Sequence, residues 1–181
     1  MKKIFMCAIL LMASVALNVL MAQTPEEMQA SKERYAKLEK ALKKTPKDCS
    51  VSDVDKLAAS VTATMAESVG ITPLLEGLYY RSIGQTEDGV TEVTVKKPTL
   101  DECLELSARI ALQAKAVQAA TESVEPAAKA VKDIKNPLKG AKALIVLDYS
   151  KDALSVVAEE TAYQTKAIAS IIETVKSADN L

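Results

Sequence analysis

Two stretches of the chain place an apolar or small residue at nearly every seventh position. Cys103, Ile110, Val117, Val124, Val131 and Leu138 form one row, accompanied three residues on by Leu106, Gln113, Ala120, Ala127, Ile134 and Ala141. Leu147, Leu154, Thr161, Ile168 and Val175 form another, with Ser150, Val157, Gln164, Ile171 and Ala178 beside it. A seven-residue repeat held this long puts one stripe on a helix and sets neighbouring helices nearly parallel or antiparallel. The second half of the chain is therefore predicted to be a long helical hairpin.

Thr99 and Glu102 have the spacing of a capping box and open the first of these helices. Pro126 falls inside it, but the stripe stays in phase from Val124 to Val131, which predicts a kink and no break. The reversal is placed at Asn136-Pro137, a breaker pair that can also start the next helix. Folding there sets residue i opposite about 273 − i, with helices of roughly 50 to 60 Å at 1.5 Å per residue. Gln113 then lies opposite Glu160 and Thr161 and near Gln164, so the polar breaks of the two stripes fall at one level. Such a layer is either an alignment device between helices or a polar ligand site inside the bundle.

Earlier in the chain, Thr24-Pro25-Glu26-Glu27 combines a cap, a first-turn proline and a capping glutamate. It predicts a helix to about Lys44, ended by Pro46, with a narrow face of Met28, Ser31, Tyr35, Leu38 and Leu42. Ser52 or Asp53 is expected to cap a second helix, whose face is Val54, Leu57, Ala58, Val61, Met65 and Val69. Gly70 reads as a stop and Thr72-Pro73 as a fresh start, giving a short helix to Ile83, separate from the second or its kinked continuation. Gly84 closes it. Asp88-Gly89 and the β-branched run around Val90 to Val95 predict a small hairpin or an ordered loop. The expected fold class is all-α: an elongated antiparallel bundle of about four helices, the second kinked, with one small β-hairpin or loop insertion.

The N-terminus changes where this bundle is expected to work. Lys2 and Lys3 precede an apolar run from Ile4 to Met21, followed by the small residue Ala22. That order is the order of a cleavable export signal, so residues 1–22 are expected to be removed and 23–181 to form a single domain, periplasmic or secreted. An uncleaved anchor is the competing reading. Cys7 lies near the start of the apolar run, away from the position a lipid-anchoring cysteine needs. Removal of Lys2 and Lys3 takes the 23 basic residues to 21 against 24 acidic ones, a net charge of −3 that gives no overall pull toward nucleic acid. Phe5, the one Phe, leaves with the signal, and there is no Trp, so the core falls to Ala, Val, Leu and Ile. Ala faces let helix axes approach closely.

Export favours oxidation, which makes Cys49 and Cys103 a candidate disulfide if their helices start at the same end of the bundle. The alternative is that each is a small buried apolar residue. The chain has no His, which removes His-based triads, the usual general base and imidazole metal sites. Its five glycines form no phosphate-cradling loop. Asp53-Val54-Asp55 and Glu87-Asp88-Gly89 lack the ligand spacing of a calcium loop. No enzymatic role and no cofactor are expected.

Two surface features remain. Lys129, Lys132, Lys135, Lys139 and Lys142, offset mainly by Asp133, would make the hairpin tip basic: a solvated surface, or a contact for anionic lipid, glycan or an acidic protein face. Tyr79, Tyr80 and Arg81 form a cluster of the types enriched at binding hot spots, equally explained by end-packing of the bundle. The function expected from these observations is that of an exported, non-enzymatic interaction or structural protein of the bacterial envelope or exterior, whose partner is another protein or an envelope component. The alternative is a carrier of a lipid-like ligand or a membrane-active helical protein.

Overall fold

A computed structural model describes residues 23–86, 90–91 and 95–178. These residues form four helices: α1 (Pro25–Leu42), α2 (Ser52–Ser82), α3 (Leu100–Lys132) and α4 (Pro137–Ala178). The expected signal segment, the Asp88-Gly89 turn and much of the β-branched run lie outside the described residues. No helix among the described residues is long and apolar enough to cross a membrane.

Local chemistry explains most of the ends. Thr24 Oγ1 accepts the Glu27 backbone N–H at 3.2 Å ahead of Pro25. The Thr99–Glu102 box is complete, with Thr99 N–H donating to Glu102 Oε2 at 2.7 Å and Glu102 N–H to Thr99 Oγ1 at 3.2 Å. At the reversal, α3 stops at Lys132, and Asn136 Oδ1 accepts the N–H groups of Leu138 and Lys139 to start α4. Gly84, at φ 71°, ends α2 in a Schellman arrangement: Gln85 N–H reaches Tyr80 O at 2.9 Å and Gly84 N–H reaches Arg81 O at 3.2 Å.

One boundary differs from expectation. The cap of α2 is Val51, not Ser52 or Asp53, and its side chain does no capping. Asp55 acts from inside the first turn instead, accepting the N–H of Cys49 at 2.8 Å and of Val51 at 3.1 Å, with Ser50 held at φ 62° between them. α2 runs unbroken through Gly70 and Pro73, so of the two readings for this stretch the continuation of the second helix holds and the separate short helix does not form. Ile71, Leu75 and Leu78 continue the buried face of Val61 and Met65 across the proline, and that packing outweighs the local propensity to break. Between α2 and α3 the described residues show an isolated antiparallel bridge, Gln85 with Thr91, and no strand.

Side-chain pairs fix the helix directions. Arg81 meets Glu102 and Arg109 meets Glu67, so α2 and α3 are antiparallel. Gln113 meets Thr161 and Gln164, close to the register expected from a turn at Asn136. Along α1, Gln23 meets Ala167, Ser31 meets Glu160 and Tyr149 meets Ala41, so α1 runs against α4. α2, α3 and α4 all pack on one another, while the shorter α1 lies over the α2 and α4 side. Ala120, Ala127 and Ala143 are fully buried, consistent with close approach of the axes.

The apolar core is in two parts. One, toward the α3–α4 reversal, holds Leu38, Leu57, Val61, Met65, Ala127, Leu147 and Val157. The other, toward the α2–α3 connection, holds Ile71, Leu78, Cys103, Ile110, Ile168 and Ile171.

Candidate functional site: a buried polar layer and an exposed basic tip

Between the two apolar clusters lies a continuous set of buried polar side chains drawn from all four helices. Glu160, 0% exposed, sits at its centre. Its Oε1 accepts from Ser31 Oγ of α1 at 2.6 Å and from Thr72 Oγ1 of α2 at 3.0 Å, and its Oε2 accepts from Arg34 Nε at 2.8 Å. One turn further along α4, Gln164 Nε2 donates to Thr72 Oγ1, Ser68 Oγ and Ser68 O at 3.0 to 3.2 Å. Gln164 Oε1 accepts from Gln113 Nε2 of α3 at 2.8 Å, and the same amide donates to Thr161 Oγ1 at 2.6 Å. Thr161 Oγ1 in turn donates a hydrogen bond to Val157 O.

The amide orientation of Gln113 follows from these partners. Thr161 Oγ1 has already spent its proton and Gln164 Oε1 is an acceptor, so both require the Gln113 nitrogen. Gln113 Oε1 is consequently left buried and accepts no hydrogen bond among the described residues. Glu160 is neutralised by one charge and three charge-assisted bonds, the condition for burying a carboxylate. Arg34 also lies over the Tyr163 ring, 5.6 Å from its centroid. Burial, then the nearby Glu160, Glu76 and Glu27 carboxylates, push the Tyr163 phenol above its usual range against the pull of Arg34.

Gln113, Thr161 and Gln164 thus meet, as the register of the two stripes implies. The register of the stripes also sets Glu160 at this level, but Ser68, Thr72, Ser31 and Arg34 come from α1 and α2, which that register does not reach. Ser31 carried a signal, as the one polar residue on the α1 face. Thr72 has the local pattern of a helix start, but its hydroxyl lies within hydrogen-bond reach of Ser68 O at 3.2 Å and Glu160 Oε1 at 3.0 Å and caps nothing.

Of the two readings for Cys49 and Cys103, the bridge does not form. Both thiols are free and buried, in different apolar clusters. Because α2 and α3 are antiparallel, their N-termini lie at opposite ends of the bundle, and a cysteine near each start cannot meet the other. Burial, then the Asp55 carboxylate 3.1 Å from its sulfur, raise the Cys49 thiol above its usual value; burial, then Glu102, do the same to Cys103.

Arg81 is separated in role from the tyrosines. Its guanidinium grips Glu102 at 3.0 Å and the carbonyls of Lys96 and Lys97, clamping the end of α2 to the segment that leads into α3. Arg81 and the Thr99 groups together hold the Glu102 carboxyl down to about 2. Tyr79 and Tyr80 meet edge to face, centroids 5.3 Å apart, beside an open cleft of about 320 Å³ lined also by Gln23, Met28, Lys32 and Gln85.

At the other end, Lys129, Lys132, Lys135, Lys139 and Lys142 are all exposed around the reversal. Beside them, Leu138 is 79% exposed, Ile145 65% and Leu144 48%. Leu138 and Ala141 continue the sequence repeat of α3 but belong to α4, and so turn outward. Among the described residues no three Cys, Asp or Glu side chains are grouped to hold a metal ion. No protein-family model, curated protein or solved structure matches this chain.

Proposed function

We propose that this chain is an exported, non-enzymatic helical protein of the bacterial envelope or exterior that acts as a rigid interaction or structural module. The observation that carries the reading is the Glu160–Gln164 layer. It ties a side chain of every helix into one hydrogen-bonded set, and such a layer penalises any other register of the four helices. A fold locked in this way presents a surface of fixed shape. Its ionisable centre is sealed between helices and engaged in holding them, an arrangement suited to structure and not to turnover. The N-terminal order of lysines, apolar run and small residue supports export.

We also propose that α3 and α4 meet by heptad packing. In support, Cys103, Leu106, Ile110, Gln113, Ala120 and Ala127 on α3, and Leu147 through Val175 at both stripe positions on α4, are buried. The carrier alternative requires this stripe to open toward a lipid-like ligand, whereas its side chains are engaged with each other. The membrane-active alternative has one observation in its favour, the apolar row exposed at the tip.

Fractionation of cells producing the full chain tests the proposal. The expected result is an envelope or external product beginning at Gln23 by intact mass, and cross-linking in place should join it to another envelope component. A full-length product in the cytosol would overturn it.

A further inference from the structure

We propose that the α3–α4 tip docks on the surface of an anionic phospholipid bilayer. This deepens the interaction reading above by naming the partner, and rests on it only for the side of the membrane concerned.

The tip projects. Tyr149 donates to Ala41 O at the end of α1, so residues 137–148 of α4 reach about 18 Å past that level, at 1.5 Å per residue. At about 100° per residue, Leu138, Ala141 and Ile145 fall in one exposed row with Leu144 at its edge and Lys142 on its other side. Ala143, Val146 and Leu147 on the opposite side are buried, so the row cannot turn inward. Between 129 and 145 the charges are five lysines and Asp133, a local +4 on a chain whose net charge is −1. The described ion pairs Arg34–Glu160, Arg81–Glu102 and Arg109–Glu67 lie elsewhere.

A basic rim around a short apolar row at the end of a rigid hairpin fits shallow insertion: aliphatic side chains enter the headgroup boundary while lysine stems extend to the phosphates. A second copy of the chain fits less well. Two +4 tips repel, and four exposed aliphatic side chains, one of them an alanine, fall well short of the roughly 800 Å² per partner of a stable interface. An acidic protein face would match the lysines but gives no reason for the row to stand at the outermost turns.

The test is flotation of the protein, in the form the cell delivers, with vesicles of phosphatidylglycerol and phosphatidylcholine in equal parts or of phosphatidylcholine alone. Binding is expected to the anionic vesicles only, and to weaken when salt is raised from about 0.1 M to about 0.5 M. Each lysine near such a surface contributes about fivefold, so Lys135→Gln/Lys139→Gln/Lys142→Gln should lose on the order of a hundredfold. Leu138→Gln/Ile145→Gln should lose about tenfold or more. All five positions are exposed, so unchanged thermal melting would show that the fold is intact. Equal binding to neutral vesicles, binding indifferent to the lysine changes, or no binding would overturn the proposal. So would self-association without lipid that Leu138→Gln abolishes, or lysine-dependent capture of an acidic protein by a chain that ignores vesicles. An exported, processed chain that fails to bind defeats this inference alone; an unprocessed cytosolic chain that binds defeats the export reading alone.

Discussion

Replacing Arg34 with Met would strip Glu160 of its counter-charge while leaving the length and apolar stem of the side chain. Glu160 is 0% exposed and its guanidinium partner only 17%, so the carboxylate cannot turn to water without moving α1. Breaking a buried pair from one side costs about 3 to 5 kcal/mol. Ser31 and Thr72 still donate to Glu160, which puts the expected loss at the lower end, about 3 kcal/mol, or roughly 6 to 12 °C in melting temperature. Arg34→Met/Glu160→Met removes both charges. Its main residual penalty is the Ser31 hydroxyl, since Thr72 keeps Ser68 O, so the double variant should return to within about 1 to 2 kcal/mol of the parent. Urea unfolding followed by circular dichroism reads this as a midpoint shift at constant slope. Hydrogen exchange over 25–42 separates global loss from release of α1, whose buried side chains are only Ser31 and Leu38. A cost below about 1 kcal/mol for the single variant would place the pair among solvent-exposed bridges and refute the sealed layer.

Three further outcomes follow from the same geometry. Gln113→Leu should cost about 1 to 2 kcal/mol because Gln164 Oε1 loses its donor, while Gln113→Leu/Gln164→Leu should recover most of it; equal losses in the two chemical denaturation curves would count against a layer coupled in this way. Alkylation without reductant should leave Cys49 and Cys103 slow to react in the folded protein and fully labelled in denaturant; a product that resists labelling in denaturant until reduced would contradict the free thiols. For Asp55, burial works against ionisation, but the N–H groups of Cys49 and Val51 and the Cys49 thiol outweigh it and lower its pKa; Glu102 is held down to about 2. Both groups are depressed on folding, so their stabilisation is present above the ordinary carboxylate range and is lost as pH falls from about 4.5 toward about 2. Melting temperatures over that interval should fall, and fall less in Glu102→Gln; a flat profile would show that neither carboxylate is held as described.

Much of this molecule is written in short-range chemistry. The Thr24 cap, the Thr99–Glu102 box, the Gly84 stop and the Asn136-Pro137 reversal each depend on residues within a few positions of one another, and the sequence alone determined them. The level shared by Gln113, Thr161 and Gln164 was also legible, because a stripe on each helix and a turn between them leave one antiparallel register. What the sequence could not decide were contacts that depend on a third helix. Glu160 stands one position off the stripe, level with Gln113 by register, but its partners appear only when α1 lies over that side of α4 and supplies Ser31 and Arg34. Cys49 and Cys103 share a position relative to their helices, yet only the directions of α2 and α3 set them in separate clusters. Gly70 and Pro73 carry real breaking propensity, and only the packing of Ile71, Leu75 and Leu78 against α3 and α4 determined that α2 continues. Leu138 and Ala141 obey the repeat perfectly and are nonetheless exposed, since a periodic pattern does not record that the chain has turned beneath it.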